Sequence, residues 1–529
     1  MSQINSICIA GGGSAGWMTA ALLSKKCKNI KITLIESPNV PTIGVGESTL
    51  GHINKFLNML ELKDEDWMKQ CNATYKSSIK FTDFRKPGTY FHYPFGEYDL
   101  SLTKNGIMDW FLHQAYNNNQ DPVTDFAEFF IPQTLMTDRN KMSRNEYESI
   151  PGFSFPYHTA YHMDAEKFGQ FLKNNICLPN GVSHIQDTIV DINLTNDGEI
   201  SSIITENGLT LTADLYIDCT GFKKLLIEKT LGGEFIEFKD TLLNDRAIAT
   251  KIQYIDKETE MHSVTNCTAI ECGWVWDIPL YHRRGSGYVY SSKFSTQEQA
   301  EKDFKKHLAL RIGNKVEDLK FNHIKIRHGI QREPWLKNVC SIGLALGFIE
   351  PLESTGLLTT HENVIRLVST LQRRNGYVNQ LDKDGWNFAA REEMEGFKQF
   401  VSVHYGLSER EDTPYWKHVT NNINYVKNHL DLIPEFRYNN LGMIYDLNQT
   451  LHLSSETPDG KTFIIAGMGL NPMSNAVAML NEYRFPDVNN VWTGVVSDYK
   501  SRREKLIKHI DTLPTHYQFL KENIYNGED

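Results

Sequence analysis

The run Ser6-Ile-Cys-Ile-Ala-Gly-Gly-Gly-Ser-Ala-Gly-Trp17 constrains this chain more than any other stretch. Its apolar half reads as a strand, its glycines as a tight turn, and Met18-Thr-Ala-Ala-Leu-Leu23 as the helix that follows. Gly11, Gly13 and Gly16 fall on G-x-G-x-x-G, with Ser14 and Ala15 completing the turn. In that pattern the first glycine permits the turn, the second lets a pyrophosphate approach the backbone, and the third lets helix pack on strand. The first N–H groups of the helix have no intrahelical partner and face the anion. Twenty residues past Gly16, Glu36 closes a second apolar strand, Ile32-Thr-Leu-Ile35, at the spacing from which an acid accepts both hydroxyls of a dinucleotide ribose. The unit reads as a βαβ dinucleotide site, with FAD or NAD left open by the loop alone. The competing reading is a Gly-rich surface turn, which would not require strand, helix and acid to fall in register.

At 529 residues, two or three domains or subdomains are expected. With 55 basic against 65 acidic residues the net charge is -10, which gives no electrostatic reason for nucleic acid or an anionic membrane as partner. The eight cysteines are scattered without C-x-x-C spacing, arguing against a disulfide framework or a metal site, so a reduced cytoplasm fits best. Met1 to Asn5 leads straight into the first strand, so no signal peptide is expected. Apolar runs such as Cys340 to Ile349 are far shorter than a bilayer requires. A homo-oligomer is left open.

Further along, the loop Gly44-Val45-Gly46-Glu47 offers backbone donors for a second cofactor contact, before an amphipathic helix from about His52 to Leu60. Lys76 lies in an otherwise uncharged stretch before a strand from Ile79 to Phe84, and a lone lysine ordinarily reads as a solvated surface group. Between Tyr90 and Pro156 aromatics crowd in, Tyr93 and Phe95 among them; they suit a pocket lining or the core of a helical subdomain equally. Asp164 caps a helix whose apolar face carries Phe168, Phe171 and Leu172. Ile189 to Leu194, Ile200 to Thr205 and Leu209 to Thr212 form a meander, and Leu215 to Gly221 returns as a buried strand ending in Thr-Gly. That connection is usual in two-dinucleotide-domain flavoproteins and tips the cofactor toward FAD. Trp274 and Trp276 alternate on a strand and point to one face, which taken alone reads as core filling. A third cofactor strand, Val339 to Ala345, brings Gly343 and Leu346 ahead of Pro351-Leu-Glu-Ser-Thr-Gly356, where donors at a helix start suit an anion. Helical periodicity with many aromatics runs from Tyr377 to Asp529.

Gly11 to Gly16, Gly44-Val-Gly-Glu47, Tyr75-Lys-Ser-Ser-Ile-Lys-Phe81, Tyr161-His-Met-Asp-Ala165, Gly273-Trp-Val-Trp-Asp-Ile-Pro279 and Pro351 to Gly356 together resemble the flavin-dependent tryptophan halogenase family. The likeness spans nearly the whole chain, and the Gly-Trp-x-Trp-x-Ile-Pro element sets that family apart from flavin hydroxylases. The resemblance implies an α/β, Rossmann-like, flavin monooxygenase-like FAD domain with a mostly helical substrate subdomain. On it, 1–90, 155–235 and 323–375 are expected to form the FAD-binding domain, and 91–154, 236–322 and 376–529 the substrate-binding subdomain and sheet. It also implies reduced FAD supplied by a separate flavin reductase, O2 giving a flavin C4a-hydroperoxide, and attack by halide (chloride, bromide or iodide) yielding hypohalous acid. Trp274, Trp276 and Pro279 would separate flavin from substrate, Thr355 and Gly356 would bind halide, and Lys76 and Glu353 match the essential lysine and its paired carboxylate.

The chemistry of those residue types agrees. A lysine among uncharged neighbours can form a haloamine, or hydrogen-bond and polarise hypohalous acid, while a carboxylate can take the arenium proton or stabilise its charge. Lys80 and Glu350 are expected to be structural, as a strand charge and a turn acid. Phe91-His-Tyr-Pro-Phe-Gly96 keeps Phe95, with the family's His and Tyr order exchanged, which leaves Tyr93 and Phe95 as pocket residues. The late tryptophan, and the tyrosines and acid that clamp an amino acid in the family, have no recognisable counterparts around Phe436 to Asn448 or Leu453 to Lys461. The expected substrate is therefore a free electron-rich aromatic, indole-like or phenolic. The alternatives are a flavin aromatic hydroxylase, which usually carries Gly-Asp where this chain has Gly343-Leu344, and a non-catalytic flavoprotein, for which Lys76 and Glu353 would have no use.

Overall fold

The computed structural model describes residues 2–39, 46–103, 110, 111, 114, 125–146, 149–422, 463, 464, 466–469 and 488–529. Two compact units share the chain: Met1–Ala73, Tyr161–Asp245 and Lys325–Glu395 make the first, and Thr74–Ala160, Arg246–Ile324 and Gly396–Asp529 the second.

The first unit is built on a six-stranded sheet in the order Trp335–Leu336, Val339–Ser341, Leu215–Asp218, Ser6–Ala10, Lys31–Glu36, Ser183–Gln186. All neighbours run parallel except the first pair, which is an antiparallel hairpin. Parallel strands are covered on both faces, which is why Ser6–Ala10 and Leu215–Asp218 read as continuous apolar runs rather than alternating ones. Cys8, Ala10, Ile35, Tyr216, Leu226 and Val339 join Ile200 and Ile203 of the antiparallel meander in one core. The helix Ser14–Lys26 buries an unbroken run from Gly16 to Ser24.

The second unit holds a seven-stranded sheet in the order Asn322–Lys325, Arg246–Ile252, Arg284–Tyr290, Gly273–Pro279, Val264–Ile270, Ser78–Thr82, Tyr90–Pro94. Helix Gln297–Ile312 lays Ala300, Phe304 and Leu308 on Ile248, Val275 and Tyr288 of that sheet. A Cβ at Gly287 would lie 2.2 Å from the Trp276 ring, so glycine there lets the indole lie across the neighbouring strand.

These units divide the chain at places other than the expected boundaries. Ser78–Thr82 pairs with Val264–Ile270 on one side and Tyr90–Pro94 on the other, which carries the Lys76 segment into the second unit well before residue 90. At the other junction the first unit runs on to Glu395, because Asn387 of helix Gln380–Gly406 brackets Trp335, accepting its N–H at 2.6 Å and donating to its carbonyl at 3.0 Å. Among the described residues no helix is long and apolar enough to cross a membrane.

Candidate functional site

In the first unit the glycine turn is shaped by close approaches. Gly11 has φ 112°, and a Cβ there would sit 2.2 Å from the Cys219 carbonyl oxygen; one on Gly16 would sit 1.9 Å from the Gly11 oxygen. Gly13, by contrast, has nothing within 4 Å and begins the helix with no side-chain cap, so its open backbone fits a dinucleotide pyrophosphate. Ser14 donates to the Ala165 carbonyl at 3.1 Å, and Ala15 packs against Gly343, where a Cβ would come within 2.7 Å. Glu36 lies against this turn: a Cβ on Gly12 would meet its Oε2 at 1.8 Å. Its Oε1 accepts from His184 Nε2 at 2.7 Å and from Lys173 Nζ at 3.4 Å. Sequence reasoning missed both donors, since one sits on a neighbouring strand and the other beyond the helix Ala165–Leu172, and only folding brings them to the acid.

Of the second loop, Val45 lies outside the described residues, as do Phe436 to Asn448 and Leu453 to Lys461. Gly46 has φ 92°, and Glu47–Ser48 pairs with His162–Met163. Glu47 is half-buried, and desolvation of its carboxyl pushes its pKa up to about 7.

Ser48 ties that loop to the helix start, accepting from the Ser354 hydroxyl at 3.0 Å. Ser354 has φ 59° and precedes helix Thr355–Arg373. Beside it opens a small pocket lined by Gly343, Leu344, Gly347, Phe348, Ile349, Thr355, Gly356 and Thr359. None of these side chains carries a charge, and the buried Thr355 hydroxyl has no hydrogen-bond partner among the described residues. A hydroxyl and helix-start N–H groups with no carboxylate in the lining suit a small anion. Leu346 lies behind, buried, its N–H donating to the Gly343 carbonyl at 3.0 Å. Glu353 is buried in the turn Pro351–Glu353. Glu350 accepts from Asn244 Nδ2 at 3.0 Å, and Asn244 in turn offers its carbonyl to His328, whose ring stacks on Phe348 at 5.7 Å. Glu350 thus lies one hydrogen bond behind the residue that His328 holds, outside the pocket lining.

In the second unit Lys76 ends the strand Thr74–Lys76 and is 0 % exposed, against the usual expectation for a lone lysine. Its Nζ stands 5.1 Å from the centroid of Phe95, whose ring meets Tyr93 edge-on at 5.8 Å. Phe463, which sequence reasoning did not single out, stacks on Tyr93 at 6.1 Å and 24° and on Tyr98 at 5.5 Å and 16°. Lys80 is spent elsewhere, bonded to Asp138 at 3.3 Å and lying over Tyr90. Trp274 and Trp276 are both buried, with ring centroids 6.2 Å apart, and Thr74 donates to the carbonyl of Pro279 at 2.6 Å, linking the tryptophan strand to the lysine strand. Glu353 belongs to the first unit and Lys76 to the second.

Comparison with known proteins establishes the family. The family described as tryptophan halogenase matches residues 6–475. The chain is 35% identical to the 7-chloro-L-tryptophan 6-halogenase KtzR of Kutzneria sp. (strain 744), over 77% of this chain and 80% of that one. It is 29% identical to the tryptophan 7-halogenase RebH of Lentzea aerocolonigenes, over 98% and 99%. Among solved structures, the apo structure of VirX1 superposes with a TM-score of 0.90 at 44% identity, covering 99% of this chain and 100% of that one. The chain belongs to the tryptophan halogenase family and is a flavin-dependent halogenase, an FAD enzyme with halide as co-substrate.

Proposed function

We propose that this enzyme halogenates a free, electron-rich aromatic, indole-like or phenolic, in preference to L-tryptophan, with reduced FAD delivered by a separate flavin reductase. The observation that carries the reading is the fully buried Lys76 amine facing Phe95 within a cluster of Tyr93, Tyr98 and Phe463. Ring faces and edges hold a flat aromatic by stacking, and a cation in that setting acts on a neutral oxidant without a competing solvent shell. The preference over tryptophan is supported by the missing amino-acid clamp in the sequence, since polar groups without partners penalise a misfit substrate.

Gly11, Gly13, Gly16 and Glu36 would hold the dinucleotide, with Gly46, Glu47, Gly343 and Leu346 beside it, and Thr355 and Gly356 would hold the halide. Bound reduced flavin supplies, with O2, the oxidising equivalent that converts halide to hypohalous acid. Trp274, Trp276 and Pro279 keep the organic substrate from being oxygenated. Lys76 donates a hydrogen bond to the oxygen of hypohalous acid. As the oxygen–halogen bond breaks and the carbon–halogen bond forms, the oxygen leaves as water with the lysine proton. Glu353 takes the ring proton released when aromaticity is restored.

Two measurements test this. Mass spectrometry of indoles, phenols, pyrroles and L-tryptophan, incubated with reduced FAD and chloride, bromide or iodide, should show halide-dependent products from free aromatics; efficient, regioselective halogenation of L-tryptophan would sink the substrate assignment. Lys76→Ala should bind FAD and consume O2 normally while ring halogenation falls by roughly a hundredfold or more, with Lys80→Ala active as the control. A Lys76→Ala enzyme of undiminished yield would remove the lysine from the mechanism.

A further inference from the structure

The strand that presents Lys76 is only three residues long, so its placement depends on what grips its backbone. The N–H of Tyr75, the residue before Lys76, donates to Nε2 of His516 at 3.2 Å, across 441 residues of chain. His516 is fully buried, and its Nδ1 lies 3.0 Å from the carbonyl oxygen of Met261. A carbonyl only accepts, so Nδ1 carries the hydrogen and Nε2 presents a lone pair, and both bonds exist together only in that neutral tautomer. Burial above all pushes the ring's pKa down to about 3, with neighbouring His262 acting in the same direction, so the tautomer persists at any pH where the enzyme works.

The histidine is itself fixed. It opens helix His516–Asn523, whose capping box pairs Thr515 with Gln518, and its N–H donates to Asn140 at 3.0 Å. Phe519, on the same helix, approaches the Tyr75 ring at 6.0 Å, and Arg144 donates to the Tyr75 hydroxyl at 2.6 Å. Beyond Lys76, the N–H of Ser77 donates to Ser263 at 2.7 Å, so the imidazole and the Ser77 amide both reach the stretch that holds Met261 and Ser263.

We propose that His516 is a positioning residue for halogen delivery: by accepting the Tyr75 N–H it sets the strand from which the Lys76 amine projects. The inference rests on the reading of Lys76 as the delivering group. Shifts of about 1 Å at a reacting group cost up to roughly a hundredfold in rate.

The test uses the full-length enzyme with reduced FAD, halide and an accepted aromatic, and compares wild type, His516→Phe, which fills the space without an acceptor, His516→Gln, which restores a carbonyl acceptor, and Lys76→Ala. In His516→Phe, kcat for ring halogenation should drop by roughly tenfold or more with the aromatic KM little changed, while FAD affinity and flavin oxidation match wild type and a scavenger traps the undelivered hypohalous acid. His516→Gln should recover most of the product. Full product from His516→Phe alongside an inactive Lys76→Ala would overturn the proposal, as would a parallel fall of Tm, flavin oxidation and product, which marks a purely structural role. Full product from Lys76→Ala would instead fail the reading of the lysine.

Discussion

At Glu36 the carboxylate is held by two donors, His184 and Lys173, on the oxygen turned away from Gly12. A carboxylate oriented before the ligand arrives loses less freedom on binding, which concentrates its hydrogen bonds on the ribose. Glu36→Ala should therefore weaken FAD binding by roughly ten- to a hundredfold, the range for losing a charged hydrogen-bond partner, measured by flavin fluorescence titration; unchanged affinity would dismiss the ribose assignment. Glu36 was legible because its register to the glycines is local and fixed by two strands and a helix. Its two donors were not, because no sequence spacing encodes a meeting between a parallel strand neighbour and a residue past the next helix. Lys76 shows the same divide: the residues around it announced an uncharged stretch, while its burial depends on Phe95 across the pairing of Ser78–Thr82 with Tyr90–Pro94.

Among elements, helix Thr355–Arg373 carries a hydroxyl at its start that is buried and without a partner among the described residues. A buried hydroxyl with no partner costs roughly 1–3 kcal/mol, and its retention beside an uncharged pocket makes sense if an anion completes it. Thr355→Val keeps the shape and removes the donor. It should leave Tm unchanged or raise it, keep FAD affinity, and raise the halide KM roughly tenfold, read from product yield against halide concentration; an unchanged halide KM would separate Thr355 from the halide. The start of this helix was readable from Ser-Thr-Gly, as were the Asp164 cap and the three-stranded meander, since capping and turn chemistry act over a few residues. The seven-stranded sheet was legible only as separate strands. Its order joins strands near residues 80, 92, 250, 267, 276, 287 and 323, and pairing over such separations leaves no periodic trace. The unit boundaries slipped for that reason.

For the whole molecule, stability against pH follows from groups whose folded and unfolded affinities for protons differ. Burial lowers His328 from its ordinary 6.5 to about 4 and His516 to about 3. Below pH 6.5 the unfolded chain takes up a proton at each, which the folded enzyme refuses until far lower pH, so stability falls with acidification by roughly 1 kcal/mol per pH unit for each histidine. Glu47 acts oppositely: burial raises it from 4.5 to about 7, so the fold keeps a proton that the unfolded chain has released, and that contribution fades as pH rises from 4.5 to 7. Two histidines outweigh one glutamate between pH 5 and 6.5. Urea denaturation of the FAD-free enzyme should show stability climbing from pH 5 to 6.5. His516→Gln, folded by the same acceptor, should reduce that climb by roughly 1 kcal/mol per pH unit. A wild-type profile flat from pH 5 to 6.5 would mean that these histidines enter the fold charged, and the neutral tautomer that grips the Lys76 strand would fall with it.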